Sequence, residues 1–235
     1  DRLDTLTGIF AIGQAPSGAK DPFALRRAAL GVLRILIEGQ LDLDLPKLLD
    51  HSAANFDKTI RAAHAVDTVF AFVMERLRSY YLDQGLRPDT FEAVLDCRPT
   101  RPLDFDRRVR AVHAFRELPE AASLTAANKR IRNILRKVDT VLPFAVQPDL
   151  LMEDAEQALA GRLVELSSEV MPLMEAGLYG EALNRLAHLR EPVDAFFDQV
   201  LVMAEDAAVR DNRIALLNEL SSLFLRVADF SRLQD

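Results

Sequence analysis

Cysteine is almost missing from this chain, which has Cys97 as its only thiol among 235 residues. One thiol excludes an internal disulfide framework and suits a reducing compartment, so we expect a cytoplasmic protein. Long apolar runs are missing as well: none approaches the roughly 18 residues that span a bilayer, and we expect no membrane partner. The chain begins at Asp1 rather than at a methionine, already in helical sequence, so we expect a piece of a longer protein.

Alternating strand patterns are also lacking, whereas apolar residues recur at helical spacing along most of the chain. The fold class that this pattern predicts is all-α. Amphipathic helices are predicted at about 57–84, about 106–118 and about 121–138. Asp21, followed by Pro22, predicts the N-cap and first position of another helix.

No catalytic or metal-binding pattern stands out. The four histidines are scattered, without the i,i+4 pairing or companion cysteines of a metal site, so we expect no metal. Cys97 has no histidine near it in sequence, so a role as a catalytic nucleophile has little support. The many carboxylates fall at helical surface positions, where solubility explains them. Five apolar residues of one segment are expected in the core: Val193, Phe196, Phe197, Val200 and Leu201.

Residues 13–20 form a loop with the G-x-x-x-x-G spacing of a phosphate-binding loop. Ala19 stands where such a loop has its lysine, the required Ser or Thr is absent, and no strand precedes the segment. We therefore expect a capped turn rather than a nucleotide site. The N-terminus of the following helix can still accept a phosphate. The candidate phosphate contacts there are Lys20, Arg26 and Arg27.

Positive charge is concentrated in the middle of an acidic chain. The formal net charge is -7, yet residues 101–137 carry ten basic and four acidic side chains. Residues 139–235 carry seven basic and eighteen acidic side chains. Such asymmetry says more about partners than the total charge does, and it indicates a polyanion.

The segment 126–138, AANKRIRNILRKV, holds five basic residues and no acidic one. On a helix the basic residues share one face, and the apolar residues occupy the opposite face. A solvated surface face is the simpler alternative. Surface helices usually mix signs, however, because acid–base pairs at i,i+4 stabilise them, so the missing carboxylates favour an external anion.

The preceding predicted helix adds further arginines, and two adjacent basic helices can follow a phosphate backbone. Asparagine side chains on the same surface can contact base edges. The candidate nucleic-acid contacts are Arg107, Arg108, Arg110, Asn128, Lys129, Arg130, Arg132, Asn133, Arg136 and Lys137.

Several stretches carry a resemblance to one known family: DRLDTLTGIFAIGQAPSGAKDPFALRRAALGVLRILIE, AANKRIRNIL, AHLREPVDAFFDQVLVMAED and RDNRIALLNELSSLFLRVADFS. Together they resemble the β subunit of bacterial glycyl-tRNA synthetases of the heterotetrameric type, nearly end to end. The family usually has Thr-Gly-Ser-Lys in the glycine loop, where this chain has Ser17-Gly18-Ala19-Lys20. That departure puts a hydroxyl-dependent role of the loop in doubt.

The resemblance implies two regions: 1–55 as the C-terminal part of an HD-like helical domain, and 56–235 as a helical anticodon-binding domain similar to that of arginyl-tRNA synthetases. It implies that the chain recognises the anticodon arm of tRNA(Gly), while the α subunit catalyses glycylation with ATP and Mg²⁺. No catalytic site and no cofactor are expected in this chain, and the whole enzyme is expected to be an α2β2 heterotetramer. The alternative is a helical protein–protein docking module for the partner subunit or a neighbouring domain.

Overall fold

The computed structural model describes residues 1–57, 60, 62–138 and 145–234. These residues form helices and connecting turns without any β-strand, and one isolated bridge pairs Ser17 with Lys20. The all-α prediction is confirmed. Within the same residues, no helix is both long enough and apolar enough to cross a membrane.

The α-helices follow one another in chain order: α1 (Arg2–Ala11), α2 (Leu25–Glu38), α3 (Leu45–Ala53), α4 (Val66–Leu82), α5 (Pro88–Leu95), α6 (Pro102–Phe115), α7 (Ala121–Leu135), α8 (Asp154–Glu175), α9 (Tyr179–Leu186), α10 (Arg190–Gln199) and α11 (Ala207–Leu225). Short 3-10 turns lie at Ala62–Ala65, Pro148–Leu150, Ala187–Leu189 and Phe230–Arg232.

The chain divides into two compact units. The first contains Asp1–Phe91 and Arg98–Asp106, and the second contains Glu92–Cys97 and Arg107–Asp235. The boundary predicted between residues 55 and 56 falls inside the first unit, because α4 packs against α2 and α3. The assignment of residues 1–55 and 56–235 to two domain families stays a prediction.

The first unit is built around an apolar core shared by α1 to α4. Core side chains with at most 1% exposure include Leu6, Leu25, Ala29, Leu33, Leu45, Leu49, Val69, Val73 and Leu77. Near the end of α4, Tyr81 packs against Phe91 and Phe105, and its hydroxyl donates a hydrogen bond to Asp106 Oδ1 at 3.0 Å. Burying an aromatic ring with its hydroxyl paired stabilises this end of the unit.

The second unit has its own core, to which α7, α8, α10 and α11 contribute. Phe230, which follows α11, is 1% exposed and makes edge contacts with Phe115 and Phe224, at ring-centroid distances of 5.1 and 5.0 Å. Gly177 follows the C-cap of helix α8, and its φ of 72° is costly for residues with a Cβ atom. A Cβ atom there would also lie 2.8 Å from Nη1 of Arg107.

The helix boundaries differ from the predicted ones where prolines and tight turns intervene. The helix predicted at about 57–84 is a 3-10 turn followed by α4, and residues 58, 59 and 61 lie outside the described residues. Helix α6 begins at Pro102, four residues early, since proline is well suited to the first helical turn. The core prediction was wrong for Leu201, which is 71% exposed just after α10 ends.

Candidate nucleic-acid interface

Helix α7 carries the candidate interface, and its buried face holds it on the second unit. Leu124 and Ile131 are at most 1% exposed, and the helix packs against α10, α11 and the turn Phe230–Arg232. Asn128 also lies on this buried face, with 6% exposure, and its Nδ2 donates a hydrogen bond to Leu124 O at 2.9 Å. Its amide is therefore occupied inside the helix, and a contact to a base edge stays an untested prediction.

The opposite face of α7 and the two residues that follow the helix carry positive charge. Arg136 and Lys137, directly after the last residue of α7, are exposed, and Lys129 on the helix is half-exposed. Within the described part of the chain, none of the three makes an ion pair. Asn133 is exposed beside them. This arrangement places one amide and three cations, none of them paired with a described residue, on a single solvent-facing strip.

Two other cations of α7 have partners elsewhere in the second unit. Arg132 makes an ion pair with Asp229, although no acidic residue stands on its own helix. The guanidinium of Arg130 lies over the ring of Phe197 on α10, 4.2 Å from its centroid. The sequence prediction rested only on carboxylates of the same helix, and the partner of Arg132 lies in the turn after α11.

A cleft of about 370 Å³ lies between α7 and the turn Phe230–Arg232. Its lining consists of Lys129, Arg132, Asn133, Arg136, Ser231 and Arg232. Every lining side chain can donate a hydrogen bond, and four carry positive charge. A site with this chemistry suits an anion.

The residues on the C-terminal side of the cleft were not predicted from the sequence. Asp229, Ser231 and Arg232 lie in a 3-10 turn after α11, and the only local signal was the Asp-x-Ser spacing. The carboxylate of Asp229 accepts hydrogen bonds from Ser231 N at 3.1 Å and Ser231 Oγ at 2.6 Å. An Asp side chain that accepts from the backbone N–H two residues later forms an Asx turn. This turn packs beside α7 through tertiary contacts, which the spacing of residues along the chain does not reveal.

The arginines of α6 behave differently. Arg108 donates hydrogen bonds to Arg226 O, to Val227 O at 3.2 Å and to Tyr179 Oη at 2.9 Å. Its guanidinium also stacks over the Tyr179 ring, 4.6 Å from the centroid. These contacts hold the end of α11, whereas the neighbouring Arg107 and Arg110 are exposed. The predicted role of these three residues in nucleic-acid binding stays untested.

The second unit also buries a carboxylate, which corrects the expectation that the acidic side chains lie on the surface. Glu156 is 0% exposed and receives hydrogen bonds from Arg213 Nε at 2.5 Å and from Met152 N at 2.8 Å. Burial raises the pKa of Glu156, but the hydrogen bonds and charge of Arg213 and the backbone N–H groups outweigh it, so the pKa is lowered. The pair ties α8 to α11.

The predicted phosphate contacts near the glycine loop lie in the first unit. Asp21 caps α2 by accepting hydrogen bonds from Leu25 N at 2.8 Å and Arg26 N at 3.0 Å, although the helix begins three residues later than predicted. Arg26 donates from Nη2 to Gly18 O at 2.6 Å. Lys20 and Arg27 are exposed. Since Asp21 occupies two N-terminal amides, the helix end already holds an anion of its own, and external phosphate binding there stays a prediction.

The roles to consider for Cys97 and the acidic residues are nucleophilic and metal-binding. Burial raises the pKa of the Cys97 thiol, and its Sγ lies 3.2 Å from Leu225 O. A thiol with a raised pKa is a poor nucleophile. Among the residues outside the gaps at 58–59, 61, 139–144 and 235, no group of three His, Cys, Asp or Glu side chains could hold a metal ion.

Comparison with known proteins gives this interface a class. The family model described as "DALR anticodon binding domain" matches residues 124–226, which include most of α7 and end just before the turn of the cleft. Residues 124–226 of the second unit thus match a helical module of the anticodon-binding class. A second family model, "Glycyl-tRNA synthetase beta subunit", matches residues 1–96.

Curated relatives cover the whole chain. It is 56% identical over 234 residues to the glycine–tRNA ligase beta subunit of Aeromonas salmonicida, 55% identical to that of Actinobacillus pleuropneumoniae and 53% identical to that of Shewanella amazonensis. Each alignment covers 100% of this chain and 34% of the relative, so the chain spans about a third of the length of these proteins. The chain belongs to the glycyl-tRNA synthetase beta-subunit family.

Proposed function

We propose that the second unit binds the anticodon arm of tRNA(Gly) through the exposed face of α7. The observation that carries this proposal is the strip formed by Lys129, Arg136 and Lys137, which has no ion-pair partner among the described residues. It lies within the region that matches an anticodon-binding family model. RNA supplies the missing counter-charge, because neutralising its phosphates releases condensed counterions and favours binding.

Phosphate contacts position the RNA, and base contacts select it. Lys129 and Arg136 are suited to the first role. Asn133 is exposed and has a donor and an acceptor, which suits it to the edge of an unstacked base. Discrimination of about 1–3 kcal/mol for each base is expected from such contacts.

The wider context of the proposal is that of the relatives. The chain would act within the β subunit of an α2β2 glycine–tRNA ligase, and the α subunit would catalyse ATP-dependent glycylation with Mg²⁺. The fragment would contribute no catalytic group and bind no cofactor. A cytoplasmic location belongs to the same proposal.

The test is a charge reversal on the strip in the assembled ligase. Lys129→Glu with Arg136→Glu should weaken tRNA(Gly) binding by at least about tenfold at roughly 0.1 M salt, because two phosphate attractions become repulsions. Arg132 is left unchanged, since its ion pair with Asp229 makes it a structural residue as well. Electrophoretic mobility shift with tRNA(Gly) and with a tRNA of unrelated anticodon measures the effect.

Arg185→Glu with Arg190→Glu is the matched control. Both arginines are exposed in the second unit and pair with carboxylates away from the strip, so the change in net charge is the same. If both double variants lose the same affinity for tRNA(Gly), the effect is due to net charge and not to the position of the residues. Unchanged affinity in the α7 variant would contradict the proposal.

A docking module for the partner subunit is the second candidate, and one observation favours it. Leu201 and Met203 between α10 and α11 are 71% and 57% exposed, and Met152 before α8 is 59% exposed. Arg213 donates to Leu201 O at 2.8 Å, and Glu156 accepts from Met152 N, so the buried ion pair holds both backbones in place. Rigid exposed apolar residues favour a protein partner. Leu201→Ser with Met203→Ser should then weaken copurification of the α subunit without weakening tRNA binding.

A further inference from the structure

We infer that the cleft between α7 and the turn Phe230–Arg232 binds one phosphate group of the RNA backbone, and that Asp229 is the residue that positions its donors. This inference rests on the proposed function, since it names a subsite of the same surface. It adds the C-terminal turn, which neither the charge pattern nor the matched range 124–226 includes.

The turn is held firmly against the body of the second unit. Phe230 is buried between Phe115 and Phe224, and Leu233 is 1% exposed. Asp229 N donates a hydrogen bond to Ala93 O at 2.8 Å. The backbone that carries Ser231 and Arg232 is therefore fixed before any ligand arrives.

Asp229 organises both sides of the cleft. Its carboxylate is only 5% exposed and pairs with Arg132 from α7. It accepts the hydrogen bonds of Ser231 and lies 3.9 Å from Arg232 Nε. A buried carboxylate that accepts from several side chains fixes the orientation of those side chains. Less conformational entropy is then lost when a ligand binds to them.

The charge of the cleft matches a phosphate group. Lys129, Arg132, Arg136 and Arg232 bring four positive charges. Asp229 and Asp96 offset two of them, because Asp96 accepts from Arg232 Nε at 2.6 Å. Two positive charges, those of Lys129 and Arg136, remain without an ion-pair partner among the described residues, and the amide of Asn133 lies beside them. The hydroxyl of Ser231 already donates to Asp229. Arginine and lysine side chains are donors well suited to phosphate oxygens.

The first experiment neutralises the turn alone in the assembled ligase. Arg232→Gln should weaken tRNA(Gly) binding by roughly tenfold at about 0.15 M salt, the loss expected when one charged hydrogen bond disappears. The slope of log affinity against log salt should become shallower by about 0.7 to 0.9, which corresponds to one phosphate contact. Arg226→Gln is the matched control, because Arg226 is exposed six residues earlier and does not line this cleft.

The second experiment tests the positioning role. Asp229→Asn should raise KM for tRNA(Gly) while kcat at saturating tRNA stays unchanged, whereas a general loss of folding would lower the active fraction and hence kcat. Asp229→Asn combined with Arg232→Gln should be little worse than either single variant, since both act on the same phosphate contact.

The outcomes separate the subsite from the proposed function. If the reversal at Lys129 and Arg136 weakens tRNA binding while Arg232→Gln behaves like Arg226→Gln, the subsite is wrong and the interface stands. If neither affects tRNA, both are wrong. A titration of the ligase with inorganic phosphate is the third experiment. If Arg232→Gln abolishes phosphate binding but leaves the affinity for tRNA unchanged, the cleft is a site for a free anion, and the RNA assignment is overturned.

Discussion

Arg108 on α6 and Arg136 on α7 carry the same charge in the same unit, but the structure uses them in different ways. The guanidinium of Arg108 donates hydrogen bonds to two backbone carbonyls and to the hydroxyl of Tyr179. Arg136 lies exposed beside a cleft and makes no ion pair with any described residue. The difference shows that a count of positive charge overstates the charge available to a partner unless the internally paired cations are left out.

The acidic side of the second unit shows the same division. Glu156 is buried and paired with Arg213, whereas Glu165 on the same helix is 60% exposed and pairs with Arg162. Inward pairs of this kind connect helices, and outward pairs contribute little to stability. Charged side chains therefore connect α6 and α8 to α11 in addition to the apolar core, whereas Lys129, Arg136 and Lys137 make no ion pair with any described residue.

The largest effect is expected from breaking the inward pair of Glu156. Glu156→Gln removes the nearer carboxylate from the buried Arg213 and leaves it, among the described residues, only the carboxylate of the exposed Glu153 at 3.9 Å. This change should lower the free energy of unfolding by about 3 kcal/mol. Chemical denaturation of the second unit measures the loss. Glu165→Gln is the matched control on α8 and should change stability by less than about 0.5 kcal/mol. Equal losses in the two variants would contradict the division between inward and outward charge.

The same pair predicts a pH dependence. Because the folded pKa of Glu156 is lowered, its contribution is present at neutral pH and is lost as pH falls below the ordinary carboxyl range and through the folded pKa. The wild-type protein should therefore lose more stability than Glu156→Gln between pH 7 and pH 4 or below. Parallel curves for the two proteins would show that the pair does not form in solution.

A smaller effect is expected from the inward arginine of α6. Arg108→Ala removes the donors to Val227 O and Tyr179 Oη and should lower the free energy of unfolding by about 2 kcal/mol. The affinity of the remaining folded protein for tRNA(Gly) should stay near that of wild type. The exposed neighbour provides the comparison, since Arg107→Ala should leave stability nearly unchanged. A large loss of affinity in folded Arg108→Ala would place α6 in the interface after all.

The smallest effect concerns Arg130, which belongs to both regions. Its stacking on Phe197 is expected to contribute about 0.5–1 kcal/mol. A double-mutant cycle with Arg130→Ala and Phe197→Leu measures this coupling by thermal or chemical denaturation. Additive losses in the cycle would show that the stacking contributes nothing and that Arg130 is free to contact RNA.

Helical periodicity was enough to predict the fold class and the two faces of α7. Ile131 is buried and Arg136 is exposed, as the spacing indicates. Of the residues that line the cleft, only those contributed by α7 and its C-terminal end could be predicted from the sequence. Asp229 and Arg232 join it through a turn about a hundred residues away, and local spacing carries no information on such contacts. Asn128, a predicted base contact, lies on the buried face of α7, where its hydrogen bond to Leu124 O pairs its amide; its polarity alone does not reveal this.

The most direct test of the central claim is the salt dependence of tRNA(Gly) binding to the assembled ligase. With Lys129→Gln and Arg136→Gln, the slope of log affinity against log salt should become shallower by about 1.4 to 1.8, the value expected for two lost phosphate contacts. Arg185→Gln with Arg190→Gln should leave the slope unchanged. An unchanged slope in the α7 variant would contradict the claim that this exposed face binds the RNA backbone.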